Sequence, residues 1–102
     1  ELKSKNVLDI GCNDGTLLSL FKKEGCNTFG VEPTKAAIEA KKKGHFIFKE
    51  YFDKTSSKNI RKKIGDIDII TFTNVFAHIE DLEDLLFSLK NISKRTRQHD
   101  FI

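Results

Sequence analysis

The apolar residues of this chain follow two alternating spacings, which predict alternating strands and helices. Four short apolar runs are typical of buried strands: residues 6–10, 27–32, 45–49 and 66–73. After each of them, apolar residues recur every three or four positions, which predicts four helices: residues 15–24, 34–43, 56–64 and 80–92. A fifth strand is predicted to begin within residues 99–102. The expected order is therefore β-α-β-α-β-α-β-α-β.

Strands joined through helices favour a parallel sheet, because each helix carries the chain back to the same end of the sheet. Local signals support these helices, since Thr34 suits an N-cap and Gly25 and Gly44 suit the position just after a helix. In such a sheet, ligands bind beyond the carboxyl ends of the strands, where the strand order reverses. We therefore expect the ligand-binding and catalytic residues in the loops after residues 10, 31, 49 and 73.

Composition and charge limit the class of protein. The 102 residues, of which 38% are hydrophobic, suit one domain over residues 1–102. The net charge of +3 is weaker and more dispersed than in most nucleic-acid-binding domains, so no nucleic-acid partner is expected. No apolar stretch approaches the roughly 20 residues that cross a bilayer, so no membrane association is expected. Basic clusters at residues 41–43, 58–63 and 94–97 are interpreted as solvated surface.

Cysteine and histidine usage adds three expectations. Two cysteines do not form a disulfide framework, which favours the cytoplasm, and no spacing of ligands indicates a metal site. His45 and His99 stand at predicted strand starts, away from the ligand edge, and are interpreted as surface or packing residues.

Because residue 1 is Glu rather than Met, we expect the chain to be an excised piece of a longer protein.

The loop after the first strand is the first candidate site. Gly11 and Gly15 allow a sharp turn and a close approach of the backbone to a ligand. The helix that follows directs unpaired N–H groups toward the same crevice. Asp14 argues against a pyrophosphate there, because its charge repels phosphates. The alternative is a plain strand-to-helix turn capped by Asn13 or Asp14.

An acid at the end of the second strand is the second candidate. Glu32 follows Asp9 by 23 positions. An acid about 20 residues after a glycine loop is where a carboxylate binds a ribose diol. The alternative is a solvated acid at a helix start, beside Pro33. Together, the loop and the acid favour an adenosine-type ligand.

The loops after the third and fourth strands add aromatic and polar side chains. Tyr51 or Phe52 can stack on adenine and Glu50 can accept from its amino group, or else Phe52 is core and Glu50 is exposed. Asn74 can both donate and accept hydrogen bonds, which suits a zwitterionic amino-acid group. His78 is a histidine, a residue type whose reference pKa of about 6.5 suits proton transfer near neutral pH, or else it caps or packs under the following helix.

Residues 7–15 are similar to motif I of the class I S-adenosylmethionine-dependent methyltransferases, and Glu32 matches their ribose-binding acid. Residues 13–18, 30–33 and 74–82 more narrowly resemble C-methyltransferases that act on nucleotide-linked keto-deoxysugars. The resemblance spans roughly residues 6–92. It implies a Rossmann-like three-layer αβα fold, with a mainly parallel sheet of order 3-2-1-4-5. It also implies that the domain is truncated before its last strands.

The resemblance implies S-adenosyl-L-methionine as the cofactor and a small molecule, a nucleotide-sugar, as the methyl acceptor. Glu32 would hold the ribose hydroxyls, and Asn74 would lie near the methionine moiety. His78 would be the catalytic residue, taking part in acid/base work at the substrate. The implied cofactor contacts come from all four loops: Asp9, Gly11, Cys12, Asn13, Gly15, Glu32, Pro33, Glu50, Tyr51, Phe52, Asn74 and Val75.

Departures from the family leave other interpretations open. Its members carry an N-terminal zinc-binding cysteine segment and a large C-terminal domain that this sequence lacks, so we expect an incomplete acceptor site. A truncated sheet leaves an exposed edge near Phe72, which predicts homo-oligomer formation. The alternatives are methylation of another small molecule or an RNA base, and a catalytically silent cofactor-binding or interaction module. A nicotinamide dehydrogenase fits less well, because Asn13 and Asp14 interrupt the G-x-G-x-x-G pattern.

Overall fold

The structure, a computed structural model, describes residues 1–74, 82–92 and 100–101. Strands and helices alternate along these residues as predicted. The strands are β1 (Asn6–Ile10), β2 (Asn27–Val31), β3 (Phe46–Phe48), β4 (Ile69–Phe72) and β5 (Asp100–Phe101). The helices are α1 (Thr16–Lys23), α2 (Ala36–Lys42), α3 (Lys54–Ile64) and α4 (Leu82–Ile92).

The strands form one parallel sheet in the order β3-β2-β1-β4-β5, which confirms the predicted order. β1 lies at the centre, with β2 on one side and β4 on the other. Asp9 of β1 stands opposite Gly30 of β2 and Thr71 of β4. The chain moves outward from β1 to β3 and then returns to the other side of β1. The strand order therefore reverses beside β1, where parallel sheets bind their ligands.

Helices cover both faces of the sheet, which confirms the predicted three layers. Residues of β1 alternate between two core clusters, because successive strand residues point to opposite faces. The first cluster joins the sheet to α1 and α2 and contains Val7, Cys12, Leu18, Cys26, Ala37, Ala40, Ile47 and Ile69. The second joins it to α3 and α4 and contains Leu8, Ile10, Val31, Ile60, Ile67, Ile70 and Ile92.

Side-chain hydrogen bonds move several element boundaries from their predicted positions. α3 begins at Lys54 rather than at residue 56, because Asp53 and Ser56 form a capping box in which each side chain accepts from the other's backbone N–H. α2 begins at Ala36 with Lys35 as its N-cap, so the predicted N-cap, Thr34, is wrong by one position; the Ala36 N–H donates to the Thr34 hydroxyl at 3.2 Å. β4 starts later than predicted, at Ile69, because Asp68 lies in a bend where its carboxylate accepts from the Asn6 N–H.

The edge of the sheet differs in part from expectation. β5 pairs with Ile69 and Ile70, so the outer side of β4 is covered over its first half. This pairing does not reach Phe72, which remains 37% exposed. Homo-oligomer formation through this edge stays a prediction. Across the part of the chain that the structure describes, no helix is both long and apolar enough to span a membrane.

Candidate functional site

The loop between β1 and α1 folds back over the end of β2. Gly11, Asn13 and Gly15 have φ angles of 71°, 56° and 84°, in the left-handed region that favours Gly and tolerates Asn. The N–H groups of Gly11 and Cys12 both donate to the Val31 carbonyl, at 2.8 and 3.0 Å. These bonds hold the turn against the strand that ends in the predicted ribose-binding acid.

Neither Asn13 nor Asp14 is the N-cap of α1, because that position is held by Gly15, which supplies no side-chain cap. Asp14 lies one position earlier. Its Oδ1 accepts from the backbone N–H of Thr16 at 3.1 Å and from the Thr16 hydroxyl at 2.7 Å. The hydrogen bonds from Thr16 lower the pKa of the Asp14 carboxyl, and Lys43 adds to the effect at 3.5 Å. Asp14 therefore bonds to the first residue of α1 from the position before the N-cap, and it keeps a negative charge beside the loop.

Glu32 joins the two predicted parts of the site. Its Oε1 accepts from the Asn13 N–H at 2.7 Å, which brings the glycine loop and the end of β2 into direct contact. Its Oε2 accepts from the backbone N–H and the hydroxyl of Thr34, at 3.1 and 2.7 Å. The side chain is only 3% exposed. Because a carboxylate has about four lone-pair positions, these three bonds from the described residues leave one acceptor position on Oε1 that no other described residue occupies.

Asp9 lies fully buried at the end of β1, directly before the glycine loop. Its Oδ2 accepts from the Thr73 hydroxyl at 2.6 Å. Its Oδ1 has no hydrogen-bond partner within the described ranges, and the same holds for the hydroxyl of Thr71 opposite. Burial raises the pKa of the Asp9 carboxyl, an effect that the nearby hydroxyls of Thr73 and Thr71 partly offset.

The loop after β4 also reaches the glycine loop. A Cβ atom on Gly11 would lie 2.3 Å from the carbonyl oxygen of Asn74, so only glycine allows the two backbones to approach this closely. The N–H of Thr73 donates to the Ile10 carbonyl at 3.2 Å. Asn74, whose side chain is exposed, is therefore placed beside the first loop, as the sequence predicted.

The loop after β3 lies next to Glu32, whose N–H donates to the Phe48 carbonyl at 3.0 Å. Tyr51 is 76% exposed and Glu50 is exposed, so both are accessible to a ligand. Phe52 instead packs against the core cluster on the α3 and α4 side. Of the two aromatic rings predicted for adenine stacking, Tyr51 is the accessible one.

Cys12 was predicted among the cofactor contacts, which stays a prediction, and its side chain is buried. The thiol is 1% exposed and belongs to the core cluster under α1 and α2. A Cβ atom on Gly30 would lie 2.6 Å from Cys12 Sγ, so the missing side chain of Gly30 provides the space for this thiol. Burial, with the charge of Asp9 next in importance, raises the pKa of Cys12 to about 12. Only the backbone of Cys12 can face a ligand.

Two histidine predictions have different outcomes. His45 is buried, with Nδ1 at 2.7 Å from the Thr28 hydroxyl and Nε2 at 3.0 Å from the Ser19 hydroxyl. It is a packing residue, as predicted. A Cβ atom on Gly15 would lie 2.8 Å from its Cδ2, so the ring packs closely against this glycine. Val75 and His78, predicted for the cofactor and for catalysis, lie outside the described residues.

Sequence reasoning missed the threonines that hold the carboxylates. Thr34 binds Glu32, and Thr73 binds Asp9. A threonine two residues after a strand-end acid was the available signal for Thr34, since such hydroxyls often bond to nearby groups in turns. For Thr73 the sequence offered no comparable signal, because its partner is 64 residues away.

The charge of the site suits one class of ligand. Asp9, Asp14 and Glu32 place carboxylates around the loop, which disfavours a pyrophosphate and favours a ligand carrying positive charge. The accessible Tyr51 ring and the free acceptor position on Glu32 suit a nucleoside. Within the described ranges, no group of three or more His, Cys, Asp or Glu residues is arranged to bind a metal ion.

Comparisons with known proteins agree with this geometry. A family model described as "Methyltransferase domain" matches residues 1–97. The "Ubiquinone biosynthesis O-methyltransferase" of Escherichia coli O7:K1 (strain IAI39 / ExPEC) is 29% identical over 98 residues, covering 91% of this chain and 40% of the relative. The protein of the same name from Shigella boydii serotype 18 is 28% identical, with the same coverage.

Among solved structures, a SAM dependent methyltransferase from Archaeoglobus fulgidus has a similar fold. The TM-score is 0.62 and the sequence identity is 23%, with 87% of this chain and 40% of that chain covered. The chain thus spans about two fifths of the length of the relatives that it matches.

Proposed function

The chain belongs to the methyltransferase-domain family, and on that premise we propose that it forms the S-adenosyl-L-methionine-binding part of an enzyme that methylates a small molecule. The observation that carries this proposal is the 2.7 Å bond between the Asn13 N–H and Glu32 Oε1. It joins the glycine loop and the strand-end acid into one nucleoside site.

The residues present fit this cofactor. Its sulfonium and ammonium groups are cationic, which matches the carboxylates around the loop, and Glu32 retains one acceptor position for a ribose hydroxyl. Tyr51 is accessible for adenine. When bound, the cofactor supplies an electrophilic methyl group; the protein residues hold it and exclude water from the acceptor.

For the acceptor, we propose a nucleotide-linked keto-deoxysugar that is methylated on carbon. The support is the resemblance of residues 74–82 to enzymes of that kind. Methylation beside a ketone requires a base that removes the α-proton, and we assign this role to His78. The bound cofactor would supply the methyl group to that carbon, with its neutral thioether as the leaving group, and His78 would hold the proton that it removed.

Methylation of an oxygen is the second candidate, because the relatives at 28–29% identity are named as ubiquinone biosynthesis O-methyltransferases. In that case, a base removes a hydroxyl proton instead of a carbon-bound proton. An RNA base as acceptor, and a catalytically silent module, remain further alternatives.

The two free cysteines, both buried, support our proposal of a cytoplasmic location.

Titration calorimetry tests the cofactor. We expect S-adenosyl-L-methionine to bind and NAD not to bind. Glu32→Ala should weaken binding by about 1–3 kcal/mol, because a ribose hydrogen bond to a carboxylate is lost. Glu39→Ala, an exposed acid of α2, is the matched control and should bind normally. An unchanged affinity for Glu32→Ala at an unchanged fold would exclude Glu32 from the site.

Turnover by the full-length protein tests the acceptor and the base, because the acceptor site of this chain alone is expected to be incomplete. Methyl transfer to a keto-sugar nucleotide should appear on carbon, and His78→Ala should reduce kcat by roughly 100-fold or more without preventing cofactor binding. Transfer only to a phenolic hydroxyl would favour the second candidate. Cofactor binding with no transfer to any of these acceptors would favour the silent module.

A further inference from the structure

β3 is an edge strand, and its outer side pairs with none of the described strands. The Glu32 N–H donates to the Phe48 carbonyl at 3.0 Å, so the backbone groups of Phe48 face β2. Since these groups alternate between the two sides of a strand, the N–H and the carbonyl of Ile47 face outward. Soluble proteins often protect such an edge with a charged residue, a proline or a bulge. β3 has none of these among its three residues, Phe46, Ile47 and Phe48.

An aromatic cluster lies along this edge. The ring centroids of Phe29 and Phe46 are 6.0 Å apart, and those of Phe46 and Phe48 are 5.2 Å apart. Phe46 is 45% exposed, and Lys63 Nζ lies 5.7 Å from its ring centroid. Burial of an exposed aromatic ring is favourable. A strand added to this edge would therefore bury apolar surface as well as pair the backbone groups of Ile47.

A second copy of this chain suits the edge, because the edge is self-complementary. In an antiparallel pairing centred on Ile47, the two Ile47 residues exchange both of their hydrogen bonds. This pairing places Phe46 of each copy opposite the partner's Phe48, which joins the two aromatic clusters. Residues 41–43 before β3 are three exposed lysines, and residues 50–53 after it include two exposed acids. Antiparallel pairing brings each basic segment toward the acids of the other copy.

We propose that the protein self-associates through β3, as a two-fold dimer in which the sheets of the two copies are continuous. This surface lies at the opposite side of the sheet from the edge near Phe72. The inference goes beyond the proposed function, since the pairing needs no bound cofactor. Because Tyr51 lies in the loop that follows β3, the dimer also brings the second copy beside one rim of the candidate site.

Sedimentation equilibrium of the full-length protein tests the association. We expect the mass to rise from that of one chain to that of two as the protein concentration increases. Phe46→Lys places a charge between the aromatic clusters and should weaken the dimer about tenfold or more. Leu20→Lys is the matched control, because Leu20 is a 56% exposed apolar residue on α1, and it should associate as the wild type does.

Cysteine cross-linking tests the register. Facing residues of antiparallel strands that share no hydrogen bonds have Cα atoms about 4.5 Å apart, which a disulfide can bridge. A mixture of Phe46→Cys and Phe48→Cys should therefore form a disulfide-linked heterodimer on mild oxidation, whereas neither variant alone should. The wild type, in which Cys12 and Cys26 are buried, is the control for other thiols.

A mass of one chain at every concentration would overturn the inference, and so would a dimer that Phe46→Lys leaves unchanged. Cross-linking of either cysteine variant with itself as readily as with the other would overturn the pairing centred on Ile47. Circular dichroism checks the fold of each variant. The wild-type mass and the cross-linking remain decisive even if Phe46→Lys does not fold.

Discussion

At the scale of single residues, the two buried carboxylates of the site have unlike surroundings. Glu32 accepts three hydrogen bonds from the protein, whereas Asp9 accepts one and has an unpaired oxygen within the described part of the chain. A buried polar atom without a partner costs about 1–3 kcal/mol. The chain therefore carries a destabilising group directly before its glycine loop, which is typical of functional sites.

Asp9→Asn should separate stability from function. The neutral amide keeps an acceptor for Thr73 and offers a donor toward the Thr71 hydroxyl, so we expect the free energy of unfolding at pH 7.5 to rise by about 1 kcal/mol. Urea denaturation measures this. The gain should disappear in acid, below the raised pKa of Asp9, where the wild-type carboxyl is also neutral.

The same variant should bind the cofactor more weakly, because a charge that complements a cationic ligand is lost. A destabilised Asp9→Asn, or one whose advantage grows on acidification, would show that the charged form of Asp9 stabilises the fold. Thr73→Val provides the comparison, since it removes the one hydrogen bond described here to the Asp9 carboxylate and should lower stability.

At the scale of elements, β2 shows how a strand makes room for a loop. Gly30 has no side chain where the Cys12 thiol and the Ile47 side chain fill the space above the strand. The glycine loop is thereby anchored by a core side chain, while its backbone remains available at the sheet edge. The same few residues of the glycine loop therefore pack into the core with their side chains and face the ligand side with their backbone.

Gly30→Ala should destabilise the chain by about 1–3 kcal/mol, because its Cβ would lie 2.6 Å from Cys12 Sγ. Urea denaturation is again the measurement. Cys12→Ala removes that sulfur, so the double variant should lose less stability than the sum of the two single variants. Strictly additive losses would show that Gly30 and Cys12 do not compete for the same space.

Whether a feature could be predicted depends on how far apart along the sequence the residues that determine it lie. Apolar spacing is a local property, and it predicted every strand and helix that the structure describes, in the correct order. Boundaries depended on side-chain bonds such as the Asp53–Ser56 capping box, which the spacing does not contain. The inward orientation of Cys12 depended on a glycine 18 positions later, and no local pattern expresses that relation.

At the scale of the whole molecule, family membership confirms a methyltransferase domain, and S-adenosyl-L-methionine as the cofactor of this class. The sequence correctly predicted which loops lie together, because the strand order of a parallel sheet decides which loops are neighbours. It did not decide the acceptor, since the fold that brings these loops together does not determine which residues contact the acceptor. The sugar and its C-methylation therefore remain proposals.

The stability of the whole chain should depend on the protonation of His45. Burial, with the charges of Lys22 and Lys43, lowers the pKa of this histidine, while a bond with the Gly15 backbone opposes the shift. The unfolded chain then binds more protons than the folded chain, so stability falls as pH drops below about 6.5. Denaturation at pH 7.5 and 5.5 measures this loss.

His45→Gln should be less stable than the wild type at pH 7.5, because two hydroxyl contacts of the ring are disturbed. The difference between the two proteins should shrink at pH 5.5, since glutamine does not titrate. Asp9 responds to pH in the opposite direction but is present in both proteins, so its effect cancels. A difference that stays constant between these pH values would show that His45 does not titrate there.

The central position of β1 has a consequence for synthesis on the ribosome. The first strand to emerge gains one neighbour when residues 27–31 follow, but its other side stays open until residues 69–72 leave the exit tunnel. Throughout that interval, the backbone hydrogen-bonding groups of Asn6, Leu8 and Ile10 face outward on a nascent edge. The interval before β4 emerges is thus the stage of synthesis at which chaperones have the most unpaired strand edge to protect.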